Sequence, residues 1–148
     1  MIMIRERLVD GMLELSVYAT REQMFRGLKR MAVSFNDTLG SIVIPVTEYD
    51  YRQTKTPLVA CLYTYQDVSL PIINHEILHV AAAIMRRRGR KRIDLGCDIG
   101  LEEEILAYWI SYVSEEVYNV FLPTKNSNYQ FTPKEIKKYA KSSSDQND

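Results

Sequence analysis

The chain holds two histidines, and both fall in one short segment, His75-Glu76-Ile77-Leu78-His79. A separation of four positions is about one helical turn, so a helix here turns both imidazoles to one face and offers two neutral nitrogens to one cation. Zinc suits such a pair. Imidazole nitrogen is a favoured ligand at about 2.0–2.1 Å, and a catalytic zinc needs only three protein ligands, leaving a position for water. Glu76, next to the first histidine, has the reach to take a proton from that water and pass it to a leaving amine. The bland alternative is that the match arose by chance and that the histidines are hydrogen-bonded core residues. That both of the chain's histidines sit inside the motif favours the metal.

A third ligand is sought in Leu101-Glu102-Glu103-Glu104-Ile105-Leu106-Ala107-Tyr108-Trp109. Acids opening a helix answer the positive end of its dipole, which accounts for Glu102 and one other. Glu104 shares a stripe with Leu101, Ile105, Tyr108 and Tyr112, a face read as looking inward, where an unpaired carboxylate is costly and a metal would remove the cost. Glu103 is the alternative at the neighbouring helix phase.

The elements that position these residues are legible in part. Residues 12–19 alternate, with Leu13, Leu15 and Val17 against Glu14, Ser16 and Tyr18, which predicts a strand with one buried face. Thr20 and Gln23 stand at capping-box spacing ahead of a helix over about 21–35, whose Met24, Phe25, Leu28, Met31 and Ala32 recur at helical period. Residues 41–47 and 58–65 are rich in Val, Ile, Tyr and Thr and predict two further strands joined by the polar connection EYDYRQTKTP. The HEILH helix is expected over 71–87, with Pro71 in its first turn and Gly89 as its stop. A loop containing Gly96 and Gly100 then leads to a helix over 101–120.

HEILH, followed after a spacer by EEEILAY, resembles the gluzincin arrangement of zinc peptidases, whose second helix carries a glutamate ligand. In its proportions the chain is similar to the compact HExxH proteins of tailed phages and prophages. The resemblance spans 12–121, although only HEILH and EEEILAY are specific. It implies an α+β, minimal zincin-like fold, with a small, mostly antiparallel sheet of about three strands packed on a helix plus two metal-bearing helices. It implies a zinc-dependent peptidase in which His75, His79 and Glu104 hold the metal, Glu104 being the residue aligned through Ala107 and Tyr108. Glu76 would activate a zinc-bound water against a peptide or protein substrate. The chain departs from the metzincin pattern: Ala82, Met85 and Arg86 occupy the region of a third histidine. Oxyanion stabilisation would fall to Tyr108, Tyr112, an arginine or the metal alone, with Tyr108 read either as a catalytic group or as a core aromatic beside a ligand. By the same resemblance, the strand at 58–65 would accept an extended peptide along its edge.

Composition bounds the alternatives. The 148 residues, 46% hydrophobic and 26% charged, fit one domain, placed at 1–122, with a polar tail at 123–148 expected to be disordered. The formal net charge is zero, which supplies no global field toward nucleic acid or an anionic membrane. The basic run RRRGRKR, from Arg86 to Arg92, lacks interleaved aromatics and is read as a solvated helix end rather than as a nucleic-acid module. No apolar run approaches the length of a membrane span, no signal-peptide core follows MIMIRERLVDG, and Cys61 and Cys97 form no metal-type spacing, so a cytoplasmic, reducing setting is expected. A non-catalytic interaction protein on the same scaffold is the rival to the enzyme.

Overall fold

The computed structural model of the protein describes residues 2–36, 40–89 and 101–121. In chain order these form β1 (Ile2–Leu8), β2 (Leu13–Tyr18), α1 (Arg21–Arg30), β3 (Ile42–Pro45), α2 (Glu48–Thr54), β4 (Ala60–Tyr65), α3 (Leu70–Arg87) and α4 (Leu101–Phe121). The fold is α+β. The expected tail, the glycine loop, Cys97 and the end of the basic run lie outside the described residues.

The strands make one sheet in the order β1-β2-β4-β3. It has four strands rather than three, and it is mixed: β1/β2 and β3/β4 pair antiparallel, while β2 and β4 run parallel with Leu13 opposite Ala60. The added strand is β1, which extends the sheet by a hairpin through Val9, Asp10 and Gly11, all at positive φ. Val9 is an uncommon β-branched residue in that region, and its N–H is held by the Glu116 carboxylate at 3.3 Å.

Alternation along the strands sorts side chains into two cores. Leu13, Leu15, Val17, Ala60 and Leu62 point to the face covered by α3 and α4. Tyr18 and Tyr63 point to the opposite face, where Met24 and Leu28 of α1 cover them. With helices on both faces, every residue of β2 is buried, including the polar ones that the alternation assigned to solvent. α1 begins as the sequence predicts, with Thr20 Oγ1 accepting from the Gln23 N–H at 3.3 Å, but ends at Arg30, followed by Ala32 at φ 55°. Gly27 lets α1 approach the sheet, since a Cβ there would lie 2.6 Å from the Tyr18 hydroxyl.

The polar connection after β3 contains a short helix, α2, fixed by a full capping box between Thr47 and Asp50 and burying no residue. Among the described residues no helix is long and apolar enough to cross a membrane.

Candidate functional site

α3 sets the site because its sequence gives it three differently occupied flanks. Ile73, Ile77, Val80 and Ile84 face the sheet and are fully buried or nearly so. Ala81 and Met85 pack on Leu106 of α4. His75, His79 and Arg86 occupy the remaining flank and are exposed, with the small Ala82 between them. Neither imidazole is buried. Both stand at the open side of α3, and the motif residue that is buried is Glu76, at 6% exposure.

The two imidazoles face each other. Their Nε2 atoms are 3.1 Å apart, with ring planes at 78°, so one ring donates to the other according to tautomer. Two nitrogens bound to one tetrahedral zinc at the usual distance stand about 3.3 Å apart. The pair therefore fits two positions of such a cation with a displacement of a few tenths of an ångström.

Glu76 lies beside the pair. Burial pushes its carboxyl above the ordinary carboxylate range, against the opposing pull of His79, of His75 and of the Val43 N–H, which donates to the carboxylate. Val43 belongs to β3, the sheet edge nearest α3. Because Val46 N–H bonds inward to Val59 at 2.9 Å and the pairing alternates, Ile44 and Ile42 also point their N–H groups inward, while Val43 and Pro45 present theirs to the outer side. Pro45 has no N–H, and that of Val43 is taken by Glu76. The outer edge of β3 thus presents only carbonyl groups at these two positions.

Between β3 and α3 runs a cleft of ≈ 260 Å³. Ile42, Val43 and Pro45 form one wall, and His75, Glu76, His79 and Arg86 the other. Ser41 closes the end, its hydroxyl sharing a 2.7 Å hydrogen bond with Thr64. β4 cannot serve as the edge anticipated for it, since both its sides are taken, by β2 and by β3. The edge strand at the motif is β3.

The carboxylates expected from α4 are not brought to the histidines. α4 runs antiparallel to α3: the Tyr118 hydroxyl donates to Asn74 Oδ1, and the Arg88 guanidinium lies 4.7 Å from the Trp109 ring centre. That pairing puts Glu104 at the C-terminal end of α3 rather than level with His75 and His79. Glu103 and Glu104 are both exposed, and the buried stripe of α4 is Leu106, Val113 and Val117. Glu104 thus stands on an exposed face of α4 and not on the inward-looking face expected for it. Among the described residues no three His, Cys, Asp or Glu side chains converge as a ligand set. Tyr108 and Tyr112 do not line the cleft; Tyr112 packs at the edge of the core and against Trp109, with ring centres 6.1 Å apart.

The first three arginines of the basic run are described, and two are used within the protein. Arg87 donates to the Val46 carbonyl at 3.2 Å and stacks 4.3 Å from the Tyr51 ring centre, and Arg88 covers Trp109. Arg86 alone of the three turns to the cleft. Comparison with known proteins finds no family model, no curated protein and no solved structure that matches the chain.

Proposed function

We propose that the chain is a zinc-dependent hydrolase of peptide bonds, with His75 and His79 as metal ligands and Glu76 as general base. One observation carries this reading: two imidazole nitrogens 3.1 Å apart open onto the same cleft as a buried carboxylate that no lysine or arginine among the described residues pairs with. When bound, zinc supplies the Lewis acidity that makes water a nucleophile near neutral pH and polarises a carbonyl. Glu76, its carboxyl raised by burial, accepts the proton of the attacking water and returns it to the leaving amine. The Val43 N–H fixes the carboxylate's orientation, and the apolar wall of β3 keeps bulk water from one side of the cleft. The carbonyls of Val43 and Pro45 are placed to accept main-chain N–H groups of an extended substrate. Glu104, the third ligand implied by the resemblance to compact phage gluzincins, belongs to the proposal only if α4 shifts toward the histidines on metal binding.

The test is zinc stoichiometry, measured by elemental analysis, together with cleavage of a mixed peptide library read by mass spectrometry. The proposal expects one zinc per chain, its loss in His75→Ala and His79→Ala, and its retention with loss of turnover in Glu76→Gln. Zinc content in Glu104→Ala reports separately on the third ligand. A folded protein that takes up no zinc from micromolar solution overturns the assignment.

A second reading has its own supporting observation. Glu76 caps the outward N–H of an edge strand, a device that protects sheet edges, so the motif also suits a non-catalytic interaction scaffold. Under that reading Glu76→Gln, which keeps an acceptor for Val43, changes neither stability nor partner binding, and the wild type cleaves nothing.

A further inference from the structure

Arg86 stands seven positions after His79 and eleven after His75. Seven residues fall about 20° short of two full helical turns, and eleven overshoot three turns by a similar angle. The Arg86 side chain therefore leaves α3 along the bisector of the two histidines. Helical side chains lean toward the N-terminus, which tips the guanidinium back toward them, and the residue it passes over is Ala82, too small to block it. The cleft lining agrees, since Arg86 shares it with His75, Glu76 and His79. Its position in the last turn of α3 would be accounted for by the helix dipole alone. Its two neighbours, however, are held by aromatic rings of the protein, whereas Arg86 has no ion pair among the described residues.

The opposite wall shows what this cation is for. At Val43 and Pro45 the edge of β3 offers carbonyls and no free N–H, so it can satisfy donors of a bound peptide but no acceptor that carries charge. A cleft of ≈ 260 Å³ admits a short stretch of chain, not a long one. Beyond the imidazoles, a carboxylate entering it meets the planar fork of Arg86, which suits bidentate carboxylate recognition.

We infer that Arg86 is a specificity residue that binds a substrate carboxylate, either the C-terminal one or that of an Asp or Glu side chain, about two helical turns from the histidine pair. The inference rests on the peptide-hydrolase reading for its meaning, but its test does not need turnover.

The probes are acetyl-Ala-Ala-Ala with a free C-terminus, the same peptide as its amide, and acetyl-Ala-Glu-Ala-amide against acetyl-Ala-Gln-Ala-amide. Binding to the full chain is followed by NMR shifts of the Ile42 and Val43 amides at low salt. Tighter binding of the free acid than of its amide, by about tenfold, identifies the C-terminal carboxylate, and a like ratio for the Glu over the Gln peptide identifies the side chain. In Arg86→Gln the ratio is expected to fall to about one, and in Arg86→Lys to recover in part, because a point charge replaces the fork. Equal binding of both members of both pairs, or a preference that survives in Arg86→Gln, overturns the inference. Zinc uptake and library cleavage are scored on the same preparations, so failure of the hydrolase reading appears as loss of those signals and not as loss of the acid-over-amide ratio.

Discussion

Two carboxylates are buried against opposite faces of the sheet, and they are treated in opposite ways. Glu14 on β2, 8% exposed, accepts from Arg5 of the neighbouring strand through Nε at 3.0 Å and Nη2 at 2.5 Å. Glu76 on α3, 6% exposed, accepts from the Val43 N–H and lies beside two imidazoles, with no guanidinium or ammonium paired to it among the described residues. A buried carboxylate is tolerated when a cation neutralises it, and Glu14 has one. Glu76 lies instead at the wall of a cleft without such a cation, and burial shifts its carboxyl upward. The difference separates an ion pair that joins two strands from an unpaired carboxylate at a cleft, the setting that the proposed hydrolase reading requires.

The comparison breaks most sharply on turnover. Glu76→Gln is expected to lower peptide cleavage by about 10²–10⁴-fold with zinc content and melting temperature near wild type, whereas Glu14→Gln leaves cleavage of the same library unchanged. Equal losses in the two variants would remove the distinction.

Next in size is a pair of proline substitutions that tests how Glu76 is held. The Ile44 N–H points into the ladder, and Ile44→Pro should destabilise the sheet by about 3 kcal/mol in urea unfolding. The Val43 N–H points outward, so Val43→Pro should fold with a smaller loss and show its main effect on kcat, through the lost bond to Glu76. Unfolding by both to the same extent would mean that the outward register is wrong.

On the Glu14 side, removing either partner is not equivalent. Arg5→Ala leaves a buried acceptor without its cation and should cost about 1–3 kcal/mol in urea unfolding, while Glu14→Ala frees an arginine whose side chain is already 60% exposed and should cost less.

The smallest effect is in alkali. Burial is the main cause that raises the Tyr63 phenol, with further contributions from Cys61 and from the Glu14 charge, and burial also raises Tyr18. A phenol raised in the folded state contributes stability that is complete below its unfolded value near 10 and is lost as pH climbs past it. Thermal melts should therefore fall as pH rises past about 10, and both Tyr63→Phe and Glu14→Gln should flatten that fall.

Much of the fold was legible because its signals are local. Alternation announced β2, the Thr20 cap announced the start of α1, and HEILH with Pro71 and Gly89 announced α3. β1 escaped because charged Arg5, Glu6 and Arg7 interrupt its apolar start, and their use in an edge strand depends on a partner, Glu14, that only the paired sheet supplies. α2 escaped because a helix that buries nothing has no apolar period, although Thr47 and Asp50 carried its cap in plain view. At the site, the facing histidines followed from spacing alone. Glu104 did not follow, because α4 has apolar residues at several phases: Leu101, Ile105 and Tyr108 propose one inward face, and Leu106, Val113 and Val117 occupy another. Arg86 was read only as part of a solvated helix end, because its heptad distance from His79 gains meaning from β3, whose position makes that direction a cleft.

The parallel join of β2 to β4 bears on how the cleft comes into being. Hairpins such as β1/β2 and β3/β4 close over a few residues or a short helix, but seating Leu13 against Ala60 must first draw together segments separated by α1, β3 and α2. Such distant closures are slow steps of assembly. One wall of the cleft rides on the β3/β4 hairpin and the other on α3, which packs against those two strands and on α4. Pulse-labelled hydrogen exchange should accordingly find the Val43 amide, which faces Glu76 of α3, protected later than those of β1.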